Sequence, residues 1–256
     1  MREVLQRILA RIRRDGPCDS LKYFLERALW RICGDLLIHE AVRRFGRATG
    51  GSANIEQALD FSFAFEFLGL TVKPWQIREE IIGLLQLLEE KRPKTIIDIG
   101  TAWGGTLFLF TRVADAHASI ISVDLPSGLL YGGYADCRTS LDSSFAREAQ
   151  VLHLVRADSH SPETLEQVKR LLDGRAVDFL MIDGDHSYEG VKKDFETYSP
   201  LVKPGGLIAF HDICKGPAKL VGGVPRFWTE IQGTHGSGTF LKDANQGGGG
   251  IGVIYF

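Results

Sequence analysis

The chain has 256 residues and almost balanced charge, with 30 Lys and Arg against 32 Asp and Glu. This balance argues against a protein held on nucleic acid by bulk positive charge, so we predict no nucleic-acid partner. The 44% hydrophobic and 24% charged residues are typical of a folded globular protein and too apolar for a disordered one. Four widely spaced cysteines without a C-x-x-C pair predict reduced thiols, and we see no signal peptide, so we predict a cytoplasmic protein.

The first 50 residues differ from the rest in charge and pattern. They hold 11 Lys and Arg against 6 Asp and Glu, a net charge of +5, which leaves −7 for the remainder. Residues 1–14 predict a short basic amphipathic helix, and a second apolar-periodic stretch runs from about Leu21 to Phe45 with scattered charges that exclude a transmembrane span. The basic pattern is compatible with peripheral membrane contact, but a helical cap or a contact in a homo-oligomer is the favoured interpretation.

After a Gly-, Ser- and Ala-rich stretch at residues 46–56, predicted to be a linker, apolar strands alternate with amphipathic helices. Parallel strands are predicted at Thr95–Ile99, Ser119–Val123, Val151–Arg156, Val177–Ile182 and Gly206–Phe210. Helices are predicted near residues 74–90, with Pro74 opening the first, and near 104–116, 140–149, 162–173 and 188–201. This alternation is typical of a mainly parallel sheet covered on both faces.

The end of the chain predicts an antiparallel pair, Gly238–Leu241 and Gly252–Phe256, that closes the sheet edge. We therefore predict an α/β, Rossmann-like, doubly wound fold whose mainly parallel seven-stranded sheet has an antiparallel C-terminal strand. The predicted division is a helical N-terminal extension over residues 1–60 and a single domain over 61–256.

A glycine-rich turn follows the first parallel strand, in the sequence TIIDIGTAWGGT. Glycines let the backbone approach a ligand closely, although such a turn can also be a simple tight connection. It lacks the second glycine of G-x-G-x-x-G, because Ala102 stands there, and no Gly-Lys-Ser/Thr follows as in a P-loop. Asp124 lies 24 residues after Gly100, at the end of the next strand, where a carboxylate can accept hydrogen bonds from a ribose. A nucleoside ligand is therefore predicted.

The D-x-G-x-x-x-G-G turn, the acidic end of the second strand and Asp158 after the third resemble the class I S-adenosylmethionine-dependent methyltransferases over roughly residues 74–256. The resemblance implies S-adenosylmethionine as cofactor, with Asp98 near its amino group, Asp124 on the ribose and Asp158 with Ser159 near adenine. The full set of cofactor-binding residues that it implies is Asp98, Gly100, Thr101, Gly104, Asp124, Leu125, Asp158, Ser159 and Asp183.

Acidic residues and histidines follow the fourth and fifth parallel strands. Asp183, Asp185 and His186 emerge from FLMIDGDHSYEGVKKDF, while His211 and Asp212 emerge from GGLIAFHDI. Hard divalent cations take carboxylate oxygens, so Asp183 and Asp212 can form a shared open site. Either aspartate alone can instead cap the next helix or pair with a lysine.

This arrangement resembles the metal-dependent O-methyltransferases, typified by catechol O-methyltransferase and by macrolide-sugar and cephamycin-pathway enzymes. The resemblance implies Asp183, His211 and Asp212 as ligands of a divalent cation, and His186 as the general base. Mg²⁺ is implied, or Mn²⁺ if His211 ligates through nitrogen where an acid is usual. Asp185 is the alternative to His211, or it orients His186.

We therefore predict methyl transfer to a hydroxyl group of a small molecule or sugar, as in natural-product biosynthesis, with His186 taking the proton. The alternatives are a nicotinamide-dependent oxidoreductase, disfavoured by the missing G-x-G-x-x-G, and a non-catalytic cofactor-binding module. No His-His-carboxylate spacing indicates non-haem iron. Residues 125–139 predict a mobile lid or an exposed loop, and residues 215–235 predict an acceptor-pocket wall unless their aromatic residues belong to the core.

Overall fold

The computed structural model describes residues 17–49, 54–126, 138–147 and 149–256. The strands are β1 (Glu66–Phe67), β2 (Leu70–Thr71), β3 (Thr95–Ile99), β4 (Ser119–Asp124), β5 (Val151–Arg156), β6 (Val177–Ile182), β7 (Val202–His211), β8 (Gly236–Phe240) and β9 (Ile251–Tyr255). The helices are α1 (Pro17–Thr49), α2 (Ile55–Ala64), α3 (Arg78–Lys91), α4 (Gly105–Val113), α5 (Arg138–Ser143), α6 (Pro162–Leu172), α7 (Tyr188–Tyr198), α8 (Ala218–Val221) and α9 (Val224–Ile231).

The main sheet has seven strands in the order β5-β4-β3-β6-β7-β9-β8. Strands β3 to β7 run parallel, while β9 pairs antiparallel with both β7 and β8. The chain leaves β3 toward β4 on one side and later returns to β6 on the other side. In open α/β sheets this reversal creates a crevice beyond the carboxyl ends of the strands, which is where ligands bind.

Both faces of the sheet are buried, which explains the continuous apolar strands. Ile96 of β3 contributes to one core with α2, α3 and α4, whereas Ile97 and Ile99 contribute to a second core with α6, α7 and α9. Successive side chains of a strand point to opposite faces, so an uninterrupted apolar run fills both cores. The predicted fold class is confirmed.

The second half of α1 packs into the same core as the sheet. Phe45 is buried, and its ring lies 5.3 Å from Phe108 of α4 and 5.0 Å from Phe145, measured between ring centroids. Between residues 21 and 36, α1 instead carries an apolar stripe whose side chains are 44% to 80% exposed; its members are Leu21, Leu25, Leu29, Ile32 and Leu36. None of the described helices is long and apolar enough to cross a membrane. The predicted division at residue 60 stays a prediction, although the core continues across it.

The predicted strands agree closely with the structure, and the predicted helices less so. β3, β5 and β6 have the predicted bounds, β4 is one residue longer, and β7 extends over Val202–His211. The helix predicted to open at Pro74 begins only at Arg78, because Ile77 before it is extended. The helix predicted at 140–149 is the shorter Arg138–Ser143.

The predicted linker at 46–56 is only partly a connection. α1 continues to Thr49, and α2 begins at Ile55 after Asn54, whose side chain accepts a hydrogen bond from the Gln57 amide at 2.9 Å. The amphipathic helix predicted over residues 1–14 lies outside the described residues, as do residues 127–137 of the predicted lid.

Candidate active site

The glycine turn between β3 and α4 lies against the end of β6. Gly100 has a φ of +97°, and a Cβ atom on it would lie 2.0 Å from the carbonyl oxygen of Asp183. No side chain fits there, because the backbone has the left-handed conformation and also touches its neighbour. The Asp183 amide donates to the carbonyl of Ile99 at 2.8 Å. Thus the turn and Asp183, predicted from separate motifs, are in direct contact.

Asp98 is buried directly beneath this turn. Its side chain is 0% exposed, and its Oδ1 atom has no hydrogen-bond partner among the described residues. Ser122 donates to the other oxygen at a long 3.5 Å. Burial, with the nearby charges of Asp183 and Asp124, raises the pKa of Asp98 well above its ordinary value. A buried carboxylate with an unsatisfied oxygen suits a positively charged ligand group.

Asp124 ends β4 beside the same turn. Its two carboxylate oxygens accept hydrogen bonds from the backbone amides of Ala102 at 2.9 Å and Leu125 at 2.8 Å. The hydroxyl of Thr101 contacts that of Ser122. Each carboxylate oxygen can accept more than one hydrogen bond, so Asp124 retains capacity for ligand hydroxyls.

Asp158 and Ser159 follow β5, next to β4 in the sheet. The amide of His160 donates to Asp158 Oδ1 at 2.9 Å, and the Tyr198 hydroxyl donates to the carbonyl of Ser159 at 2.9 Å. The Asp158 side chain is 60% exposed. The structure therefore places the predicted cofactor residues in order along the carboxyl ends of β3, β4 and β5.

Asp183 and Asp212 meet at the carboxyl ends of the adjacent strands β6 and β7, with two histidines between them. His186 Nε2 lies 3.3 Å from Asp183 Oδ1, and its Nδ1 lies 3.3 Å from Asp212 Oδ2. His211 Nδ1 lies 3.2 Å from Asp183 Oδ1 and 3.7 Å from Asp212 Oδ2. We call Asp183, His186, His211 and Asp212 the acid–histidine cluster.

The cluster offers a donor set for a divalent cation. Asp183, His186 and Asp212 each provide one ligand atom, and these atoms lie within 4.8 Å of one another. The predicted set had His211 in place of His186, and the Nδ1 atom of His211 faces the same two carboxylates. Two carboxylate oxygens and an imidazole nitrogen suit Mn²⁺ or a similar cation, and the carboxylates alone suit Mg²⁺.

The charges of the cluster depend on one another. Hydrogen bonding to Asp183 raises the pKa of His186 to about 9, although burial opposes the change. Burial lowers the pKa of His211, but the charge and hydrogen bond of Asp183 outweigh this and raise it. Burial would raise the pKa of Asp183, yet the two histidines hold it below its ordinary value. For Asp212 burial prevails, and the pKa is raised.

His186 is held by the segment after β7. Its Nδ1 lies 2.5 Å from the carbonyl of Leu220, and its own carbonyl accepts from the Gly223 amide at 2.7 Å. The following aromatic residues Phe227 and Trp228 are each only 4% exposed. They belong to the core, which was the alternative interpretation of residues 215–235.

The sequence of the middle of the chain matches a known family: residues 97–213 fit the model of a family described as a methyltransferase domain. Nearly half of the chain is therefore similar to a methyltransferase domain. The matched residues begin in β3 and end just after β7, so they include the glycine turn and the acid–histidine cluster.

The similarity to curated relatives covers only part of each relative's length. Over 149 residues, the chain is 27% identical to an uncharacterised protein of Sinorhizobium fredii, which covers 57% of this chain and 16% of that protein. Over 144 residues, it is 25% identical to a rhamnosyl O-methyltransferase of Mycobacterium tuberculosis, which covers 54% of this chain and 53% of the relative. The chain thus spans about half the length of the rhamnosyl O-methyltransferases that it matches.

Solved structures share the fold of this chain. An O-methyltransferase from Bacillus cereus in complex with SAH aligns with a TM-score of 0.51 at 16% identity, covering 86% of this chain and 100% of that chain. The O-methyltransferase TomG from Streptomyces achromogenes, in complex with SAM, aligns with a TM-score of 0.51 at 17% identity, covering 78% of this chain and 88% of that chain.

Three features of the site go beyond what the sequence predicted. Gln76 is 3% exposed and donates from Nε2 to Asp183 Oδ2 at 2.6 Å, although no sequence signal marks it. Trp75 is 46% exposed, and its ring centroid lies 4.8 Å from that of Trp103 in the glycine turn. Asp185, the predicted alternative to His211, accepts a hydrogen bond from the Ser187 amide at 2.8 Å at the start of α7, a contact that the sequence did not predict.

Proposed function

We propose that the chain is an S-adenosylmethionine-dependent O-methyltransferase that methylates a hydroxyl group of a small molecule or of a glycosyl group. The observation that carries this proposal is the fully buried Oδ1 of Asp98, which no described residue satisfies, beside a glycine turn that touches Asp183. A candidate binding site for a cationic nucleoside thus lies next to a candidate base, His186, and the carboxylates of Asp183 and Asp212. The relatives named as rhamnosyl O-methyltransferases support a sugar hydroxyl as acceptor.

The residues present fit the cofactor. The α-ammonium group of S-adenosylmethionine would satisfy Asp98 Oδ1, and the ribose hydroxyls would donate to Asp124. Asp158 and Ser159 would lie along the adenine, as Gly100, Thr101 and Gly104 would lie along the methionine part. Leu125, exposed by 57% after Asp124, would cover the ribose.

The chemistry requires one base and one aligned hydroxyl group. The acceptor oxygen forms a bond to the methyl carbon while the carbon–sulfur bond breaks, and the electron pair of that bond stays on sulfur. The acceptor proton passes to His186, whose Nε2 faces the cluster. A bound divalent cation, Mg²⁺ or Mn²⁺, would be held by Asp183 and Asp212, with His211 as the nitrogen ligand, and would supply Lewis acidity that lowers the pKa of the hydroxyl group.

A cation-independent form of the same transfer is the second candidate. It is favoured by the two histidines, whose raised pKa values allow positive imidazoles to neutralise Asp183 and Asp212 without a metal. His186 would then need to lose its proton before it acts as a base.

The acceptor would bind beside Gln76, where the half-exposed ring of Trp75 packs against the ring of Trp103. Aromatic faces next to a polar cluster suit a ring that carries hydroxyl groups.

The apolar stripe on α1 supports the prediction of a homo-oligomer, because such a stripe is normally shielded from water by another protein surface. Contact of this basic region with a membrane remains the alternative, and a cytoplasmic location remains a prediction.

The test is calorimetry with S-adenosylmethionine, with NAD, and with Mg²⁺ or Mn²⁺, followed by turnover assays on sugar and catechol acceptors with and without a chelator. We expect binding of S-adenosylmethionine and not of NAD, and methylation that the chelator suppresses. Methylation that survives complete chelation would support the cation-independent candidate. Cofactor binding without turnover of any acceptor would support a non-catalytic binding module.

A further inference from the structure

Gln76 occupies a buried position between two parts of the site that are far apart in sequence. Its Nε2 donates to Asp183 Oδ2 at 2.6 Å, and its Oε1 accepts from the Thr106 hydroxyl at 2.9 Å. The residue lies between β2 and α3, 107 positions before Asp183. It therefore links the start of α4 to the acid–histidine cluster.

The orientation of the Gln76 amide is determined by the chemistry of its neighbours. A carboxylate only accepts hydrogen bonds, so the NH₂ group must face Asp183 and the carbonyl oxygen must face Thr106. The Thr106 hydroxyl must then donate. Each partner thus fixes the other, and the amide has a single satisfied orientation.

This contact divides the two oxygens of Asp183 between two tasks. Oδ2 is held by Gln76, while Oδ1 faces His186 Nε2 at 3.3 Å and His211 Nδ1 at 3.2 Å. Asp183 therefore presents one oxygen, in a fixed direction, to whatever the cluster binds. A side chain held by a hydrogen bond outside the ligand atoms binds a cation with less loss of freedom.

The segment that carries Gln76 also rests directly on the glycine turn. A Cβ atom on Gly105 would lie 2.3 Å from the Pro74 nitrogen and 2.5 Å from the Val72 carbonyl oxygen. Thr106 follows in the first turn of α4. A change in the glycine turn on cofactor binding would therefore reach Gln76 through backbone contact and through one hydroxyl.

We propose that Gln76 is a positioning residue that orients Asp183 for a divalent cation and couples cation binding to cofactor binding through Thr106. The proposal rests on the proposed function, because it uses the cation and cofactor sites assigned there. It adds a residue outside the residues 97–213 that match the family.

The test is calorimetric titration of Mn²⁺ into the full chain, with and without S-adenosylhomocysteine. We expect Gln76→Ala to weaken Mn²⁺ binding by about tenfold or more, as for the loss of a hydrogen bond to a charged group. Thr106→Val, which keeps the shape and removes the donor, should weaken it by a smaller factor in the same direction. In both variants the enhancement of Mn²⁺ binding by S-adenosylhomocysteine should shrink or vanish.

The matched control is Thr111→Val in the same helix. The hydroxyl of the fully buried Thr111 donates to the Phe108 carbonyl at 2.6 Å and accepts from Arg112 Nε at 3.1 Å. Neither partner belongs to the acid–histidine cluster, so loss of this hydroxyl should leave Mn²⁺ affinity and its coupling unchanged. Melting temperatures and affinity for S-adenosylhomocysteine in metal-free buffer verify that each variant is folded. If Gln76→Ala binds Mn²⁺ as tightly as the wild type, the role of Gln76 is overturned while the cation assignment stands. Absence of Mn²⁺ binding by the wild type would overturn the inference and the cation assignment, while intact cofactor binding would leave methyl transfer standing.

Discussion

The two halves of the site are built in different ways. The cofactor half, at the ends of β3, β4 and β5, is shaped by backbone conformation, since Gly100 and Gly104 have φ values of +97° and +71°. The half at the ends of β6 and β7 is shaped by side chains that hold one another, as His186 does with Asp183 and Asp212. In the first half, the Oδ1 atom of Asp98 lacks a hydrogen-bond partner among the described residues, whereas in the second half the carboxylates already pair with histidines. We therefore expect the cofactor half to gain most from its ligand, and the other half to be sensitive to any change in its internal contacts.

The largest effect is expected from Asp98→Asn, which tests the cofactor half. The variant keeps the shape but removes the charge that would pair with the cofactor's ammonium group, so affinity for S-adenosylmethionine should fall by about 10²-fold or more. Because the pKa of Asp98 is raised in the folded protein, ionisation of its carboxyl group destabilises the folded state as pH rises from the ordinary aspartate pKa to the raised one. The ligand-free variant should therefore melt at a higher temperature than the wild type near neutral pH.

Calorimetry and thermal melts of the Asp98→Asn protein provide both measurements. A variant that binds the cofactor normally would remove Asp98 from the cofactor half. A variant that binds weakly and also melts at a lower temperature would show that the buried charge is satisfied in the ligand-free protein, contrary to the difference drawn between the two halves.

The next effect is expected from His186→Ala, which tests the other half. Turnover should fall by about 10²-fold or more through loss of the general base, while cofactor affinity should barely change. Steady-state kinetics with calorimetry separate the two quantities. Asp185→Asn is the control. The Asp185 side chain lies one residue away in sequence but accepts a hydrogen bond from the Ser187 amide at the start of α7, so this variant should retain turnover. Retained turnover in His186→Ala would exclude it as the base.

A pH titration sharpens the comparison on the cofactor side. Only the ionised form of Asp98 pairs with an ammonium group, and burial raises its pKa, so cofactor affinity should weaken as pH falls through that raised pKa. Affinity should drop by up to about tenfold per pH unit once the carboxyl is mostly protonated. The Asp98→Asn protein should show a flat profile over the same range. A flat wild-type profile would contradict a raised pKa in the ligand-free state.

The smallest effect is expected from Trp75→Ala at the rim between the halves. Loss of an aromatic face should raise the KM for the acceptor by about three- to tenfold and leave kcat and cofactor affinity almost unchanged. Trp75→Phe, which keeps an aromatic ring, should restore much of the difference. Unchanged KM values in Trp75→Ala would place the acceptor elsewhere.

The same division explains what could be predicted from the sequence. The fold follows from continuous apolar strands that alternate with amphipathic helices, and the members of the cofactor half follow local motifs within a strand and its next turn. In the other half, the strand ends predicted which acids and histidines would gather, but not that His186 would contact both carboxylates. Gln76 was missed because its partner is 107 residues away and its role depends on packing. Pro74 misled the prediction of α3, because Trp75 and Gln76 form a bend and Ile77 is extended, so the helix begins only at Arg78.

The packing of Phe45 against Phe108 has a consequence for the design of truncated variants. Phe108 lies in α4, and its amide donates to the carbonyl of Gly104 at 2.8 Å, so the aromatic ring supports the floor of the glycine turn from below. A shortened chain that begins at residue 61 would lose Phe45 and leave a hole there, and the loss of a buried phenylalanine side chain alone costs about 3–5 kcal/mol. The smallest piece worth expressing for crystallisation or acceptor screening therefore starts well before the matched family region, inside α1 rather than after it.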